Sequence, residues 1–371
     1  MVAGEASGDL HGSNLIKEIK TKDPNANIRC WGGAKMKAAG AILVKDYKHL
    51  AFMGFVEVLA NFRTIMQNLK FCKQDILSYQ PDVVVLIDYP GFNLRIAKWA
   101  KLKGFKIVFY ISPQVWAWKQ NRVKIIKEYV DRMIVILPFE KQFYEKWNFK
   151  VDYVGHPLIQ VIDDFKKEHQ VSIKNILPDA DKNIKYIIAL LPGSRKQEIE
   201  KKLPLMLAAA DNFPSCHFII AKAPSIEEGF YLQYTMPYKK VTLLENKTYE
   251  LLTIADAALV TSGTATLETA LFGVPQVICY KGGNISYFIA KQLVHIKYIG
   301  LVNLIMDKEV VKELIQDNLT IDNIQLELGK LLNDPDKLSQ IKSDYSALYN
   351  LLSIHGNASE NAARIVIETA S

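Results

Sequence analysis

Cysteine is scarce in this 371-residue chain: Cys30, Cys72, Cys216 and Cys279 are the four it has. They stand far apart, with no Cys-x-x-Cys pair and no paired histidine spacing. The sequence therefore predicts neither a zinc site nor a disulfide framework, and the thiols read as reduced and buried. Long apolar runs are missing too. The longest stretches without a charged side chain, Ile107 to Trp118 and Thr269 to Tyr280, are about a dozen residues and contain proline, well short of the roughly 20 needed to cross a bilayer. No charged segment followed by an apolar one precedes Val2, so no secretory leader is expected and the chain reads as cytoplasmic. No residue-level repeat links its halves.

What remains is an ordinary globular composition, with 49% apolar and 23% charged residues, which excludes a disordered or fibrous chain. Lys+Arg 46 less Asp+Glu 39 gives +7, a mild bias toward polyanions: phosphates, nucleic acid or an anionic lipid surface. The length favours two domains.

Short β-rich runs alternate with longer amphipathic stretches, the signature of βα units around a parallel sheet. In the first half the spacing predicts strands at Ile28 to Trp31, Val83 to Ile87, Ile107 to Ile111, Met133 to Leu137 and Val151 to Val154, with helices at Phe62 to Tyr79 and Leu94 to Lys103. A polar stretch, Asp163 to Lys185, reads as the interdomain connection. Strands then recur at Tyr186 to Leu191, His217 to Ala221, Val241 to Leu244, Ala257 to Val260 and Gln276 to Cys279. The tail from Pro335 to Ala370 reads as two helices broken near His355-Gly356. Two doubly wound sheets place ligands at the carboxyl ends of their strands, so function is sought in the βα turns.

Five turns carry candidate chemistry. Gly4-Glu5-Ala6-Ser7-Gly8-Asp9 follows the first strand; its glycines and the helix start behind them suit an anion or a sugar hydroxyl, although Ser7 or Asp9 could equally be an N-cap and Glu5 a solvated turn residue. The spacing is not Gly-x-Gly-x-x-Gly, which speaks against a dinucleotide. Asp88, at the end of the apolar run Val83 to Ile87, could act as a general base or merely bond turn N–H groups before Pro90. Trp116 and Trp118, two apart in a Pro-initiated loop, could line a sugar or acyl pocket or fill the space beneath it, and Lys119, Arg122, Lys124 and Lys127 beside them form a basic helix start. In the second half, Gly193-Ser194-Arg195 offers backbone donors and a bidentate guanidinium for phosphate. Thr261-Ser262-Gly263-Thr264-Ala265-Thr266-Leu267-Glu268 opens a second helix with hydroxyls suited to a diphosphate. Glu268 could accept ribose hydroxyls or simply face the positive helix end.

Several long motifs in one order resemble the lipid-A-disaccharide synthases, inverting glycosyltransferases of the GT-B fold: Val2-Ala3-Gly4-Glu5-Ala6-Ser7-Gly8-Asp9, Met53 to Leu59, Ser112-Pro113 with Val115-Trp116-Ala117-Trp118, Leu137 to Lys141, Val154-Gly155-His156-Pro157, Leu191 to Arg195 and Ser262 to Glu268. The likeness runs essentially end to end. It implies an α/β, GT-B fold of two doubly wound Rossmann-like domains facing a central cleft. Residues 1–165 would form an acceptor-binding, membrane-facing domain, 166–345 a UDP-sugar-binding domain, and 346–371 a helix packing back on the first.

The activity so implied joins UDP-2,3-diacylglucosamine to 2,3-diacylglucosamine 1-phosphate, making the β(1→6) lipid A disaccharide and UDP without metal or organic cofactor and without a nucleic-acid partner. Another GT-B UDP-sugar enzyme, such as an epimerase, and a silent UDP-lipid-binding protein stand as alternatives. By position Asp88 matches the family's candidate base, with Glu5 in the motif facing the reaction centre. Gly193, Ser194, Arg195, Ser262, Gly263, Thr264, Thr266, Glu268 and Asn303 fall on the UDP-sugar side, and Ser7, Gly8, Trp116 and Trp118 on the acceptor side. Because both substrates are acylated, the resemblance also implies peripheral attachment to the cytoplasmic face of the inner membrane, with Leu50 to Leu59 and the helix from Phe62 as an apolar surface or, equally, a buried helix pair. A homo-oligomer is left open. Two departures from the family stand out: fewer first-strand residues ahead of Ala3-Gly4, and Gly91 where a second Asp is frequent.

Overall fold

The computed structural model describes residues 1–50, 61–118, 120–177, 184–283 and 297–371. The apolar stretch expected to face a membrane therefore lies, from residue 51 to 59, outside the described residues, as do Lys119 and residues 178–183 of the expected connection. The β-branched runs pair into two all-parallel sheets. Seven strands form the first, β1 (Val2–Ala3), β2 (Arg29–Gly32), β3 (Ile42–Asp46), β4 (Val83–Ile87), β5 (Lys106–Tyr110), β6 (Arg132–Val135) and β7 (Asp152–Tyr153), in the order 3-2-1-4-5-6-7. Six form the second, β8 (Tyr186–Leu191), β9 (Cys216–Lys222), β10 (Val241–Glu245), β11 (Ala257–Val260), β12 (Gln276–Tyr280) and β13 (Lys312–Ile315), in the order 10-9-8-11-12-13. Each is a doubly wound sheet of Rossmann type, as the alternation of elements predicted.

Central strands are apolar on both faces because helices cover both sides of a parallel sheet. Val84, Val85, Leu86 and Ile87 are all buried, as are Ala257 to Val260. The edge strands β3 and β13 escaped the sequence reading for the converse reason. Ile42-Leu43-Val44-Lys45-Asp46 and Lys312-Glu313-Leu314-Ile315 mix charge into short runs, as strands do where one edge is open to water.

Residues Met1–Pro157 and Leu352–Ser371 make one compact unit, and Leu158–Leu351 the other. In the first, helices α1 (Ala6–Lys22), α2 (Ala34–Ala38), α3 (Phe62–Tyr79), α4 (Pro90–Leu102), α5 (Arg122–Tyr129) and α6 (Pro138–Glu145) join the strands. Helix α3 buries Leu69, Cys72 and Ile76 at helical spacing and stops at Gln80, whose left-handed φ of 49° precedes Pro81. The second unit contains α7 (Leu158–Glu168), α8 (Ile173–Ile176), α9 (Lys196–Ala210), α10 (Glu228–Thr235), α11 (Thr248–Ile254), α12 (Thr264–Leu271), α13 (Leu301–Met306) and α14 (Ile321–Asn333). Helix α15 (Pro335–Ser353) follows, and α16 (Ala358–Ala370) returns to the first unit.

Helix α7 departs from the reading in which the first domain ran to residue 165 and residues 163 to 185 connected. It continues to Glu168 within the second unit, because Phe165 packs edge-on to Tyr249 and Phe272, and Lys166 Nζ donates to the Leu271 carbonyl at 2.8 Å. The tail helix α16 lies on α1 and β5. It begins at Asn357, whose side chain accepts from Ser359 and Glu360 N–H. It buries Ile365 and Val366, each contributing about 1.5–3 kcal/mol of apolar burial.

Two histidines are held neutral in the first unit. His11 on α1 is driven down to about 4 by burial and then by Lys35, and His156 after β7 to about 3 by burial and then by His11. A lowered folded value means that the unfolded chain takes up protons first. The stabilisation is complete above pH 6.5 and is lost as pH falls toward those values. Unfolding free energy should decline below pH 6.5 by about 1.4 kcal/mol per pH unit for each histidine. Denaturant titrations of His156→Gln between pH 7 and 5 should show a shallower decline than the wild-type chain; an identical slope would refute the assignment.

Candidate active site

In each sheet the winding direction reverses beside one strand, and two βα turns emerge there side by side. In the first unit these are the turn after β1, Gly4 to Asp9, and the turn after β4, Asp88 to Asn93. In the second they are the turn after β8, Pro192 to Arg195, and the turn after β11, Thr261 to Thr264. Four of the five sequence motifs are thus brought to the two switch points.

Asp88 leaves β4 in a left-handed conformation, φ 45°, and Tyr89 follows at φ 49°. Such angles cost a non-glycine residue about 1–3 kcal/mol each, so other contacts must impose them. Asp88 N donates to Tyr110 O at 3.0 Å, and Tyr89 O accepts from Asn93 N at 3.0 Å. The Tyr89 hydroxyl donates to Leu50 O at 2.7 Å, and its ring stacks on Phe92. Gly4 is required opposite that ring, since a Cβ there would lie 2.3 Å from Tyr89 Cδ1. The Asp88 carboxyl is raised to about 7, first by burial and then by the negative charge of Glu5. The structure thus places Asp88 and Glu5 within electrostatic reach and tunes Asp88 to exchange a proton near neutrality.

The neighbouring turn divides into different jobs. Ser7 is exposed, while Gly8 is buried against Ala3. Asp9 does not cap its own helix, one of the readings its sequence position allowed. Its carboxylate accepts from Gly33, Lys35 and Met36 N–H at 2.8, 3.2 and 3.0 Å and so anchors the start of α2. Trp116 is half-buried: Nε1 donates to Glu140 Oε1 at 3.2 Å, and the ring meets Phe139 edge-on. Trp118 is exposed, with the Arg122 guanidinium 5.6 Å from its ring. Glu140 lies in the motif Leu137 to Lys141 but was given no role by the sequence, yet it is a fully buried carboxyl raised to about 7 by desolvation, and it also accepts from Ile136 and Leu137 N–H.

In the second unit Gly193 turns at φ 127°, and a Cβ there would strike Glu198 Oε2 at 2.5 Å. That oxygen accepts from Ser194 N at 3.2 Å, and Oε1 lies 3.7 Å from Arg195, whose side chain is 58% exposed. Ser262 is half-buried, and Gly263 and Thr264 are exposed at the start of α12. Glu268 accepts from the Tyr249 hydroxyl at 2.9 Å, and burial raises its carboxyl.

Two residues of the expected UDP-sugar set are engaged inside the fold. Thr266 is fully buried; its hydroxyl donates to Gly263 O and accepts from Leu301 N. Asn303 is fully buried as well, donating to Val311 O and Glu313 Oε1 and accepting from Val310 and Val311 N–H. Glu313 in turn holds Ile299 and Gly300 N–H, so Asn303 sets the turn that enters α13. Lys202 is a further residue the sequence did not single out, a buried lysine whose Nζ donates to Thr261 Oγ1 beneath the second phosphate-type turn.

A family model described as lipid-A-disaccharide synthetase matches residues 1–367. The chain is 40% identical to the lipid-A-disaccharide synthase of Geobacter metallireducens and 38% identical to that of a Coxiella burnetii strain, in both cases over 99% of this chain and 96% of the relative. Among solved structures it is similar in fold to a Neisseria meningitidis UDP-GlcNAc 2-epimerase bound to UDP-GlcNAc, with TM-score 0.68 and 13% identity over 99% of this chain and 98% of that one. It is similar also to the glycotransferase of kitacinnamycin, with TM-score 0.66 and 13% identity over 100% and 98% of the two chains. The sequence matches along almost the whole length, together with the two doubly wound sheets, establish that this chain belongs to the lipid-A-disaccharide synthetase family.

Proposed function

We propose that this glycosyltransferase moves the 2,3-diacylglucosaminyl group of UDP-2,3-diacylglucosamine onto the 6-hydroxyl of 2,3-diacylglucosamine 1-phosphate, with inversion. The observation that carries the proposal is Asp88, half-buried at the end of β4 at the first switch point, with its carboxyl raised to about 7 beside Glu5. Asp88 takes the proton of the attacking hydroxyl as its oxygen bonds to the anomeric carbon. The bond from that carbon to the UDP oxygen breaks, and UDP leaves with the bonding pair. Glu5 keeps the field at Asp88 negative, which raises its affinity for that proton.

The leaving diphosphate gains negative charge as the bond breaks. Arg195 and the backbone N–H groups of the turns at Gly193 to Arg195 and Ser262 to Thr264 are the groups suited to receive it, the task a divalent cation performs in metal-dependent transferases. Glu268 would accept the ribose hydroxyls, with Tyr249 fixing one of its oxygens. Thr266, Asn303 and Lys202 support these loops from inside. On the acceptor side, Ser7, Trp116 and Trp118 would line the sugar.

Acylated substrates call for access to a lipid surface, and no described helix is long and apolar enough to cross a membrane. Phe62 and Met66, 54% and 45% exposed and one turn apart on α3, stand beside exposed Arg63 and Lys70. That combination suits peripheral docking on the anionic cytoplasmic face of the inner membrane.

Incubation with both acylated sugars, with mass detection of the disaccharide, tests the reaction; UDP release in the absence of acceptor would favour an epimerase or hydrolase instead. Asp88→Asn should lower kcat at least 100-fold, and the wild-type rate should rise with pH through an inflection near 7, where Asp88 loses its proton. Full turnover by that variant would remove Asp88 from the role. Arg195→Ala should reduce kcat about 10²–10³-fold, equivalent to about 2.7–4 kcal/mol, and an unaltered kcat would place the charge elsewhere. Co-sedimentation with phosphatidylglycerol vesicles should be strong at low salt, and it should weaken at high salt and in Phe62→Ser/Met66→Ser. Equal recovery in the supernatant for all three conditions would count against docking through this face.

A further inference from the structure

We infer that Asn93 is a positioning residue for this reaction: its buried side-chain amide locks the turn that aims Asp88. The inference rests on the reading of Asp88 as the base. Asn93 sits one turn into α4 and is fully buried. Its Nδ2 donates to three backbone carbonyls, Val2 O at 3.2 Å, Ile87 O at 3.2 Å and Asp88 O at 2.7 Å. Those oxygens belong to the first residue of β1, the last residue of β4 and the first residue of the left-handed turn. One amide group therefore spans the switch point and grips the residue proposed to carry the chemistry.

The orientation of the amide follows from the same contacts, because exchanging its ends would press Oδ1 against three carbonyl oxygens. Oδ1 has no hydrogen-bond partner among the described residues, so the side chain is used for its donors. Helix formation does not require it. Asparagine is a poor helix former, Pro90 already starts α4, and the cap residue Tyr89 makes no side-chain capping bond. What needs a donor is the carbonyl of Asp88. Asp88 and Tyr89 both stand at positive φ without being glycine, and β5 ties only the Asp88 N–H. Without the amide the Asp88 carbonyl loses its donor, the turn is held by the Asp88 N–H and the Tyr89 carbonyl, ring and hydroxyl, and the peptide after Asp88 can relax toward ordinary angles with the carboxyl following. Asn93 touches main chain and no reacting atom, so its effect passes entirely through Asp88.

The test uses the full-length chain with Asn93→Ala and Asn93→Ser, the second retaining one donor and serving where the first does not fold. Calorimetric UDP binding reports folding of the second unit, and thermal melts report the whole. The expected result is a 10–100-fold lower kcat for Asn93→Ala, with donor KM and UDP affinity within about twofold of wild type. The pH–rate inflection should move below its wild-type position as Asp88 relaxes toward water, with Asn93→Ser intermediate. A folded Asn93→Ala with unaltered kcat and pH profile overturns the inference. So does a parallel loss of UDP binding, or failure of both variants to fold, since either marks a purely structural residue. Asp88→Asn run alongside separates the two levels: if it is inactive while the Asn93 variants are fully active, only this inference falls, and if it is active, the base assignment itself falls.

Discussion

A parallel sheet wound in both directions from one strand must reverse its crossovers, and at the reversal two loop ends lie together with helices leading away on opposite faces. The remaining features of this chain follow from that constraint. The first strand of each sheet, β1 or β8, has the fourth strand of the set, β4 or β11, as its neighbour. The turns after those four strands are where this chain carries its glycine-rich, hydroxyl-rich and isolated acidic motifs. Backbone N–H groups exposed at helix starts and a carboxyl at the end of an apolar strand are brought to one end of each sheet by hydrogen-bonding topology alone.

The first switch point is crowded and strained. Tyr89 presses on the backbone of Gly4, two consecutive residues adopt left-handed angles, and a half-buried carboxyl stands within electrostatic reach of another. Each feature opposes stability, and each is offset by packing or hydrogen bonds from β5, α4 and Leu50. In the proposed reaction Asp88 raised to about 7 is what that arrangement supplies, because a carboxyl in water would already be ionised and a weak base.

The second switch point works differently. Its exposed residues, Arg195, Gly263 and Thr264, stand over an internal framework of Thr266, Asn303, Glu313 and Lys202 whose hydrogen bonds hold the turns in shape. Preorganised donors stabilise developing charge because they need not reorganise as it appears. A buried amide such as Asn303 can therefore matter to the proposed reaction through the turn it holds.

The strand runs Val83 to Ile87, Tyr186 to Leu191 and Ala257 to Val260 appear at their predicted bounds, because a strand buried on both faces is a continuous β-branched or apolar run bounded by charge, Pro or small polar residues. The mixed edge strands Ile42–Asp46 and Lys312–Ile315 did not, and neither did the reach of α7, since charge and exposure there blur the period that identifies an element. The sequence by itself determined the doubly wound class, the family resemblance and the turns proposed to hold the chemistry, all of which are local patterns of polarity and small residues. Only the tertiary structure decided which side chains in those turns face outward and which are consumed within the fold. It also decided that Asn93 crosses from α4 to β1 and to the end of β4, because hydrogen-bond partners and dielectric are set by residues distant in the chain.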